Sequence, residues 1–409
     1  MRILIVTQYF WPENFRITDL ANALKEKGHE ITVLTGMPNY PTGKLYEGYS
    51  WWKKRREFKL GISIVRVPLF VRRESRAWQL VLNYFSFVFS ACLFAPWLLR
   101  KKQFDIVFTY EPSPVTVAIP AIMMAKIKTA PMFFWVQDLW PETLAATGAI
   151  KSPKILSLVG RMVKNIYHGC DYILVQSKSF IEPAIAVGAE VEKIKYFPNW
   201  AESLYQPVQL NSNASERNEV PNDGFVVMFA GNLGTAQSLD TIMAAAEKLK
   251  DENIHWVFLG DGRRRVWLQN VIEEKRLDNV HLLGSHPMET MPAYFSLADV
   301  MLVTLKDDPV MATTIPGKMQ SYLACGKPII GALNGAGAEV INESSSGYSV
   351  ASDDISGLVK AVLNMSHLSD DERDEMGKSA RYYYERNFDR DMLLHQLEEW
   401  MEESCGVSK

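Results

Sequence analysis

Residues 313–330 read TTIPGKMQSYLACGKPII. The pattern predicts a loop, a Pro at the first turn of an amphipathic helix over 316–325, a Gly-Lys-Pro stop, and a buried strand at Pro328–Gly331. Gly317 leaves the backbone open to a ligand, and Lys318 adds positive charge where free helix N–H groups already favour an anion. That combination reads as a phosphate seat. No Walker-type lysine motif occurs elsewhere in the chain to compete with it.

Upstream of this stretch the same punctuation repeats. Strands are predicted at Val226–Ala230, His255–Leu259, Val280–Leu283 and Val300–Thr304, with helices over 238–250, 265–276 and 289–297 between them. Before them, 199–224 (NWAESLYQPVQLNSNASERNEVPNDG) is polar and turn-rich and reads as a hinge. The first half has its own series: strands at Ile3–Val6, Ile31–Thr35, Ile62–Val67, Ile106–Thr109, Met132–Val136 and Tyr172–Val175, with a helix over about Ile17–Glu26. Continuous apolar strands alternating with helices argue for parallel sheets covered on both faces. The expected fold class is therefore α/β: two doubly wound Rossmann-like domains, 1–200 and 201–388, with ligands in a cleft at the carboxyl ends of the strands. A last helix over about 390–403, within 389–409, is expected to cross back onto the first domain.

With 409 residues and 47% hydrophobic content, the chain can bury two ordinary cores. Cys92, Cys170, Cys325 and Cys405 have neither metal-site nor disulfide spacing, which suits the cytoplasm. MRILIVTQYF enters a strand at once, so no signal peptide is expected.

The net charge of −3 hides a split. Residues 1–200 carry 26 Lys/Arg against 15 Asp/Glu, and the remainder 18 against 32. The excess lies mostly between 41 and 105: KKRR at 53–56, Arg72, Arg73, Arg76, and Arg100 to Lys102. Such a patch attracts anionic lipid or nucleic acid. The apolar run at 79–99, QLVLNYFSFVFSACLFAPWLL, turns the choice to membrane and away from nucleic acid. Its length would span a bilayer, but basic flanks at both ends and Asn83 and Pro96 within it fit an interfacial helix, or a helix shared between core and membrane surface, better than a span, with a buried core helix as the competing reading. Region 72–102 is thus the expected membrane contact, with Phe85, Phe87 and Phe89 on the lipid-facing side.

The informative loops of the second half all follow strands: Gly231-Asn232-Leu233-Gly234, Gly260-Asp261-Gly262, and Gly284-Ser285-His286. Their glycines permit tight turns and bare N–H groups of the kind a nucleotide diphosphate needs. Arg263, at the start of the next helix, is a further phosphate candidate. In the first half, Asp138 follows a buried strand in Gln137-Asp138-Leu139-Trp140-Pro141-Glu142, where it can polarise or deprotonate an acceptor hydroxyl. Its competing role is an N-cap on the next turn. Glu13 and Glu111, each beside a Pro, sit in two other strand-end loops, and one of the three carboxylates is expected to act as base. His29 and His168 read as capping or surface residues, Asp307-Asp308 as a solvated loop, and no metal-ligand spacing stands out.

Several strings carry a resemblance: YFWPENFR at 9–16, GHEITVLTGMPNYPTGK at 28–44, VQDLWPE around Asp138, QSKSF at 176–180, FPNW at 197–200, FAGNLGTAQSLDT at 229–241, and IPGKMQSYLACGKPII. Together they resemble bacterial family-4 retaining glycosyltransferases of the GT-B fold across nearly the whole chain. The nearest set is the O-antigen and capsule enzymes that add N-acetyl-L-fucosamine-type sugars. The resemblance implies a UDP-sugar donor, an undecaprenyl-diphosphate-linked saccharide as acceptor, retention at the anomeric carbon, no cofactor or obligatory metal, and a place at the cytoplasmic face of the inner membrane.

The chain departs from the broader family at informative positions. Two glutamates eight apart are replaced by Thr313 and Ser321, the Arg and Lys of the first C-domain loop by Asn232 and Gln237, and the His before the cleft aspartate by Gln137. Lys318 and Arg263 then have to carry the diphosphate charge, and Thr313 and Thr314 are the candidates for sugar or ribose hydroxyls. Two other readings share the fold: a UDP-N-acetyl-sugar 2-epimerase, and a non-catalytic nucleotide-sugar-binding subunit. The sequence argues against an NAD enzyme, because QYFWPE, not GxGxxG, follows the first strand.

Overall fold

The computed structural model describes residues 1–40, 43–51, 53–72 and 77–406. Arg73 and Arg76 lie outside them. The chain divides into two compact units, Met1–Phe197 with Asp391–Lys409, and Pro198–Arg390.

Unit 1 runs β1 (Arg2–Val6), α1 (Arg16–Glu26), β2 (Glu30–Gly36), β3 (Arg56–Lys59), β4 (Ile62–Val67), α2 (Ala77–Leu98), β5 (Ile106–Glu111), α3 (Ala118–Lys128), β6 (Met132–Val136), α4 (Glu142–Ala146), α5 (Pro153–His168), β7 (Tyr172–Val175), α6 (Ile181–Val187) and β8 (Ile194–Tyr196). Its eight strands are ordered β3-β4-β2-β1-β5-β6-β7-β8, all pairs parallel except β3 with β4. Unit 2 runs β9 (Phe225–Ala230), α7 (Leu239–Lys248), β10 (Ile254–Leu259), α8 (Arg265–Lys275), β11 (Val280–Gly284), α9 (Met291–Ser296), β12 (Val300–Thr304), α10 (Pro309–Ala312), α11 (Gly317–Ala324), β13 (Ile329–Ala332), α12 (Ala336–Ser344), β14 (Gly347–Val350), α13 (Ile355–Ser366) and α14 (Asp370–Asn387). Its six parallel strands are ordered β11-β10-β9-β12-β13-β14.

The sequence pattern found every central strand and missed β3, β8 and β14. All three are edge strands. An edge strand is covered less completely, so its residues need not form an apolar run, and REFK and IKY do not. Central strands show the opposite. Val226, Met228 and Ala230 join a core with Met301, Met319 and Tyr322 on one face of the sheet, while Val227 and Phe229 pack with Ile242, Trp256 and Leu302 on the other.

Helix α15 (Arg390–Ser404) completes unit 1. Its Glu398 accepts from His29 Nε2 at 2.7 Å and pairs with Lys27 at 2.9 Å, while the amino group of Met1 lies 3.1 Å from His29 Nδ1. His29 is therefore a buried link between the chain ends, not the surface or capping residue its neighbouring glycine suggested.

Helix α2 is the crossover from β4 to β5, long and apolar enough to cross a membrane, yet one face belongs to the core. Phe87, Ala91 and Ala95 are spaced by four and fully buried. Asn83, which interrupts the apolar run, is buried beside them. Its amide donates to the carbonyl of Phe70 at 2.6 Å and accepts from Gln8 Nε2 at 2.7 Å. The opposite face exposes Trp78, Leu82, Phe85, Phe89, Leu93 and Trp97. The expectation that Phe85, Phe87 and Phe89 share a lipid-facing side is corrected here: Phe85 and Phe89 are 53% and 69% exposed, Phe87 0%. Successive odd positions turn by about 200° on a helix, so Phe87 points the other way.

Candidate active site

In a doubly wound sheet, ligands bind outside the carboxyl ends of the strands where the strand order reverses. In unit 2 that point lies between β9 and β12, and Lys318 is there. Tyr322 ties α11 to the end of β9, its hydroxyl donating to the carbonyl of Ala230 at 3.0 Å and accepting from the Ala230 N–H at 2.9 Å. One turn earlier, Lys318 Nζ donates to Gln237 Oε1 at 2.7 Å and stands 3.5 Å from the ring centroid of Phe229. Burial without a nearby carboxylate holds its ammonium well below the usual lysine range. Gln320, with its amide oriented as its surroundings favour, donates to the carbonyls of Pro316 and Gly317 at 3.0 Å and fixes the first turn.

The glycine loops close around this lysine. Gly231 has φ +134°, and a Cβ there would meet Lys318 Cε at 3.3 Å. Gly260 packs so tightly on the same loop that a Cβ would lie 2.0 Å from the Gly231 carbonyl oxygen. Asn232 lies between Gly234 and Gly262, within 2.8 Å of where either Cβ would be. These residues are thus brought together. Others expected at the phosphates are placed differently. Arg263 is exposed, whereas Arg264 is taken up by Asp240 and the Trp267 ring. Ser285 is exposed, and His286 is held by the Tyr294 hydroxyl at 3.0 Å through Nδ1, with Nε2 3.2 Å from the Leu283 carbonyl oxygen. Thr313 donates to its own turn at Val310, 2.7 Å away, while Thr314 is half-buried beside it. Asp308 caps α10, accepting from the N–H groups of Val310 and Met311.

Three contributors were not foreseen: Gln237, Phe229 and Asp353. Asp353 accepts from Ser238 and Thr241 and from the Asp307 N–H, so it ties the loop after β9 to the loop after β12. The replacement of a family lysine at position 237 was the available signal for Gln237. Asp353 had none, since its side-chain partners Ser238 and Thr241 lie more than a hundred residues away and the Asp307 N–H 46 away.

In unit 1 the strand order reverses between β1 and β5; Glu13 and Asp138 lie in the loops after β1 and β6, while Glu111, expected in a loop, is the last residue of β5 and pairs with Val136. Glu13 is buried, with Oε1 accepting from the N–H groups of Asn39 and Tyr40 at 2.8 and 2.7 Å and Oε2 from that of Phe10 at 3.3 Å. It pins the loops that carry the Tyr9, Phe15 and Tyr40 ring cluster. Burial raises it to about 7. Glu111 is fully buried, and burial followed by the Asp138 charge pushes it well above the carboxylate range. Its Oε2 accepts from the Asp138 N–H at 3.3 Å. Burial therefore favours the neutral form of Glu111 more strongly than that of Asp138.

Asp138 alone of the three is partly exposed. Burial raises it, opposed first by Thr143, whose hydroxyl donates to Oδ1 at 2.5 Å. It accepts from a side chain here and does not form the N-cap that was its competing role; Pro141 occupies that position on α4. Gln176, from the QSKSF string, donates to the Gln137 carbonyl at 3.0 Å and supports the loop from β7.

Residues 14–200 match the glycosyl transferase 4-like domain, and residues 211–383 match glycosyl transferases group 1. The chain is a glycosyltransferase built from these two domains. WcaI of Escherichia coli K12, a glycosyl transferase named for colanic acid biosynthesis, is 25% identical over 97% of this chain and 98% of its own length. The Streptococcus pneumoniae alpha-galactosylglucosyldiacylglycerol synthase is 26% identical over 46% of this chain and 51% of its own. Among solved structures, Anabaena Alr3699/HepE in complex with UDP and glucose superposes with a TM-score of 0.68 over 98% of this chain and 99% of its own, at 16% identity. Sucrose-phosphate synthase from Thermosynechococcus elongatus gives 0.74 over 100% and 99%, at 15% identity. The glycosyltransferase thus has the GT-B architecture, two Rossmann-like domains with parallel sheets.

Proposed function

We propose that this glycosyltransferase moves a sugar, of the N-acetylated deoxyhexosamine class typified by N-acetyl-L-fucosamine, from a UDP donor to an undecaprenyl-diphosphate-linked saccharide. The work serves bacterial surface polysaccharide, O-antigen or capsule, at the cytoplasmic face of the inner membrane. The observation that carries the reading is Lys318: a cation without a carboxylate partner among the described residues, at the first turn of a helix and at the switch point of unit 2. A diphosphate supplies the missing anion. The relation to WcaI, named for colanic acid, supports the polysaccharide setting, and the UDP complex of a protein with the same fold supports the donor.

In this reading the donor is held on unit 2 and the acceptor on unit 1. The acceptor hydroxyl donates to Asp138, kept ionisable by Thr143 while Glu111 retains its proton. The bond from the anomeric carbon to the β-phosphate oxygen breaks as the acceptor oxygen bonds to that carbon with retention, and the acceptor's hydroxyl proton passes to the Asp138 carboxylate. The charge left on UDP is met by Lys318 and the α11 N–H groups, with no obligatory metal. The exposed apolar face of α2, with cations at both flanks, keeps the enzyme at the bilayer surface.

The test is to incubate membrane-free protein with a panel of UDP-sugars and a short-chain polyprenyl-diphosphate N-acetyl-hexosamine in EDTA, following the lipid by mass spectrometry. A gain of one sugar, from one donor, is expected. UDP binding without a gain from any donor overturns the transfer reading in favour of a non-catalytic nucleotide-sugar-binding subunit.

A further inference from the structure

Beside α2, within unit 1, is a groove of about 830 Å³ whose walls are α2, α3, α5 and the 140–150 segment. Small-molecule sites have this size, roughly 300–1,000 Å³. Ile119 and Ile122 of α3 line it, Ile155, Leu158 and Met162 form the α5 wall, and Trp140 of the 140–150 segment is also in the lining. Val81 and Phe85 belong both to this lining and to the exposed face of α2, so the groove opens on the surface read above as the membrane contact.

Two features narrow the occupant. The first is charge. α5 carries Lys154, Arg161 and Lys164 and no acidic residue, and Arg161 is itself part of the lining. Ile155 and Leu158 stand exposed on the same helix, 49% and 65%, where a helix facing water alone would carry polar groups. Apolar residues set among cations without acids suit a hydrocarbon chain attached to an anion. The second is place. Trp140 is two residues from Asp138, and the Tyr84 ring, also in the lining, lies 6.5 Å from the Trp140 ring. The Tyr84 hydroxyl is close enough to Glu111 and Asp138 to feel their charge. One groove therefore runs from the lipid-facing side of α2 to the loop that carries the acceptor carboxylate.

We propose that this groove takes the first isoprene units of the lipid acceptor, the rest of the polyprenyl chain staying in the bilayer, and so sets how far the acceptor sugar reaches toward Asp138. The proposal rests on the lipid-acceptor reading above and adds the chain's own binding site, which opens on the outer face of α2 at Val81 and Phe85 and is otherwise walled by α3, α5 and the 140–150 segment.

The test is photo-cross-linking of the full chain with a benzophenone analogue of farnesyl diphosphate, mapped by mass spectrometry of peptides. Labelling is expected in α5 and the 140–150 segment, falling at least tenfold in Ile155→Asn/Leu158→Asn. Both residues are exposed, so the fold should survive; a second variant, Ile122→Trp, fills the groove from the α3 side and should give the same loss. Sedimentation with vesicles of equal parts phosphatidylethanolamine and phosphatidylglycerol, and UDP binding, should stay unchanged in both variants. Labelling confined to the outer face of α2 and unaffected by the variants, or no labelling at all, overturns the groove. Because cross-linking needs no turnover, it is read independently of the donor assay. Wild-type protein that fails to bind UDP counts instead against the transferase reading.

Discussion

Lys318 Nζ donates to Gln237 Oε1 at 2.7 Å, so the cation at the switch point of unit 2 is paired with a neutral amide where a carboxylate would have cancelled it. An amide orients the ammonium without neutralising it. Its charge stays available to an incoming anion, and burial means that the anion gains much from it. Lys318→Met should weaken UDP binding by the worth of a charged hydrogen bond, about 1.5–3 kcal/mol, or roughly 10- to 150-fold. Gln237→Glu should weaken it too, by supplying an internal anion that competes with the phosphate. Calorimetric titration with UDP checks both. Bound phosphate restores the depressed lysine toward its ordinary value, so binding takes up a proton and affinity should fall as pH rises. Lys318→Met should flatten that slope; a persisting slope would place the titrating group elsewhere.

Asp138 should matter for turnover and not for the donor. Asp138→Asn is expected to lower kcat by about 10²–10⁴ while leaving the UDP dissociation constant unchanged. Thr143→Val removes the bond that favours the ionised form. The Asp138 pKa then rises further, and the acidic limb of the pH–rate profile should move to higher pH. A profile identical to wild type would show that Asp138 does not titrate in the reaction.

Much of this was legible because the central strands are buried on both faces and leave uninterrupted apolar runs at Ile3–Val6, Met132–Val136 and Val300–Thr304. Lys318 was legible because Pro316, Gly317 and the later Gly326-Lys327-Pro328 frame one helix. What stayed hidden depends on residues distant in sequence. Asp353 reaches Ser238 across 115 positions, and His29 reaches Glu398 across 369. The three carboxylates of unit 1 looked alike because each simply follows a predicted strand. Only packing separates Glu13, consumed by three backbone N–H groups, from Asp138, which keeps an accessible edge.

The two faces of α2 predict opposite outcomes from similar substitutions. Phe85→Ser/Phe89→Ser/Leu93→Ser strips the exposed face and should release the protein from anionic vesicles while changing Tm little. Each large apolar side chain withdrawn from the bilayer forfeits up to about 1.5–3 kcal/mol. Phe87→Ala, from the buried face, should leave vesicle binding of the folded protein intact and cost about 3–5 kcal/mol of stability, as expected for a core phenylalanine. Vesicle sedimentation and thermal melts of the two variants decide it. Retention of the triple variant on vesicles would remove the outer face of α2 from the membrane reading.

Glu13 gives unit 1 a pH dependence of definite sign. Burial raises its carboxyl to about 7, against bonds from the N–H groups of Tyr40, Asn39 and Phe10 and the charge of Arg66, which favour the ion. In the unfolded chain it returns to its ordinary value, 4.5. Between these two values the folded protein holds more proton than the unfolded one, so stability falls as pH rises through the window and levels off above it. At about 1.4 kcal/mol per pH unit the loss amounts to about 3 kcal/mol. Burial also raises Glu111 and Asp138, which add slopes of the same sign, so the informative quantity is a difference. Glu13→Gln cannot ionise. Its Tm relative to wild type should be lowest near pH 5, where wild-type Glu13 is already largely neutral in the fold, climb until about pH 7, and level off above that. A difference that stays constant over that range would mean that Glu13 keeps an ordinary carboxylate pKa despite its burial.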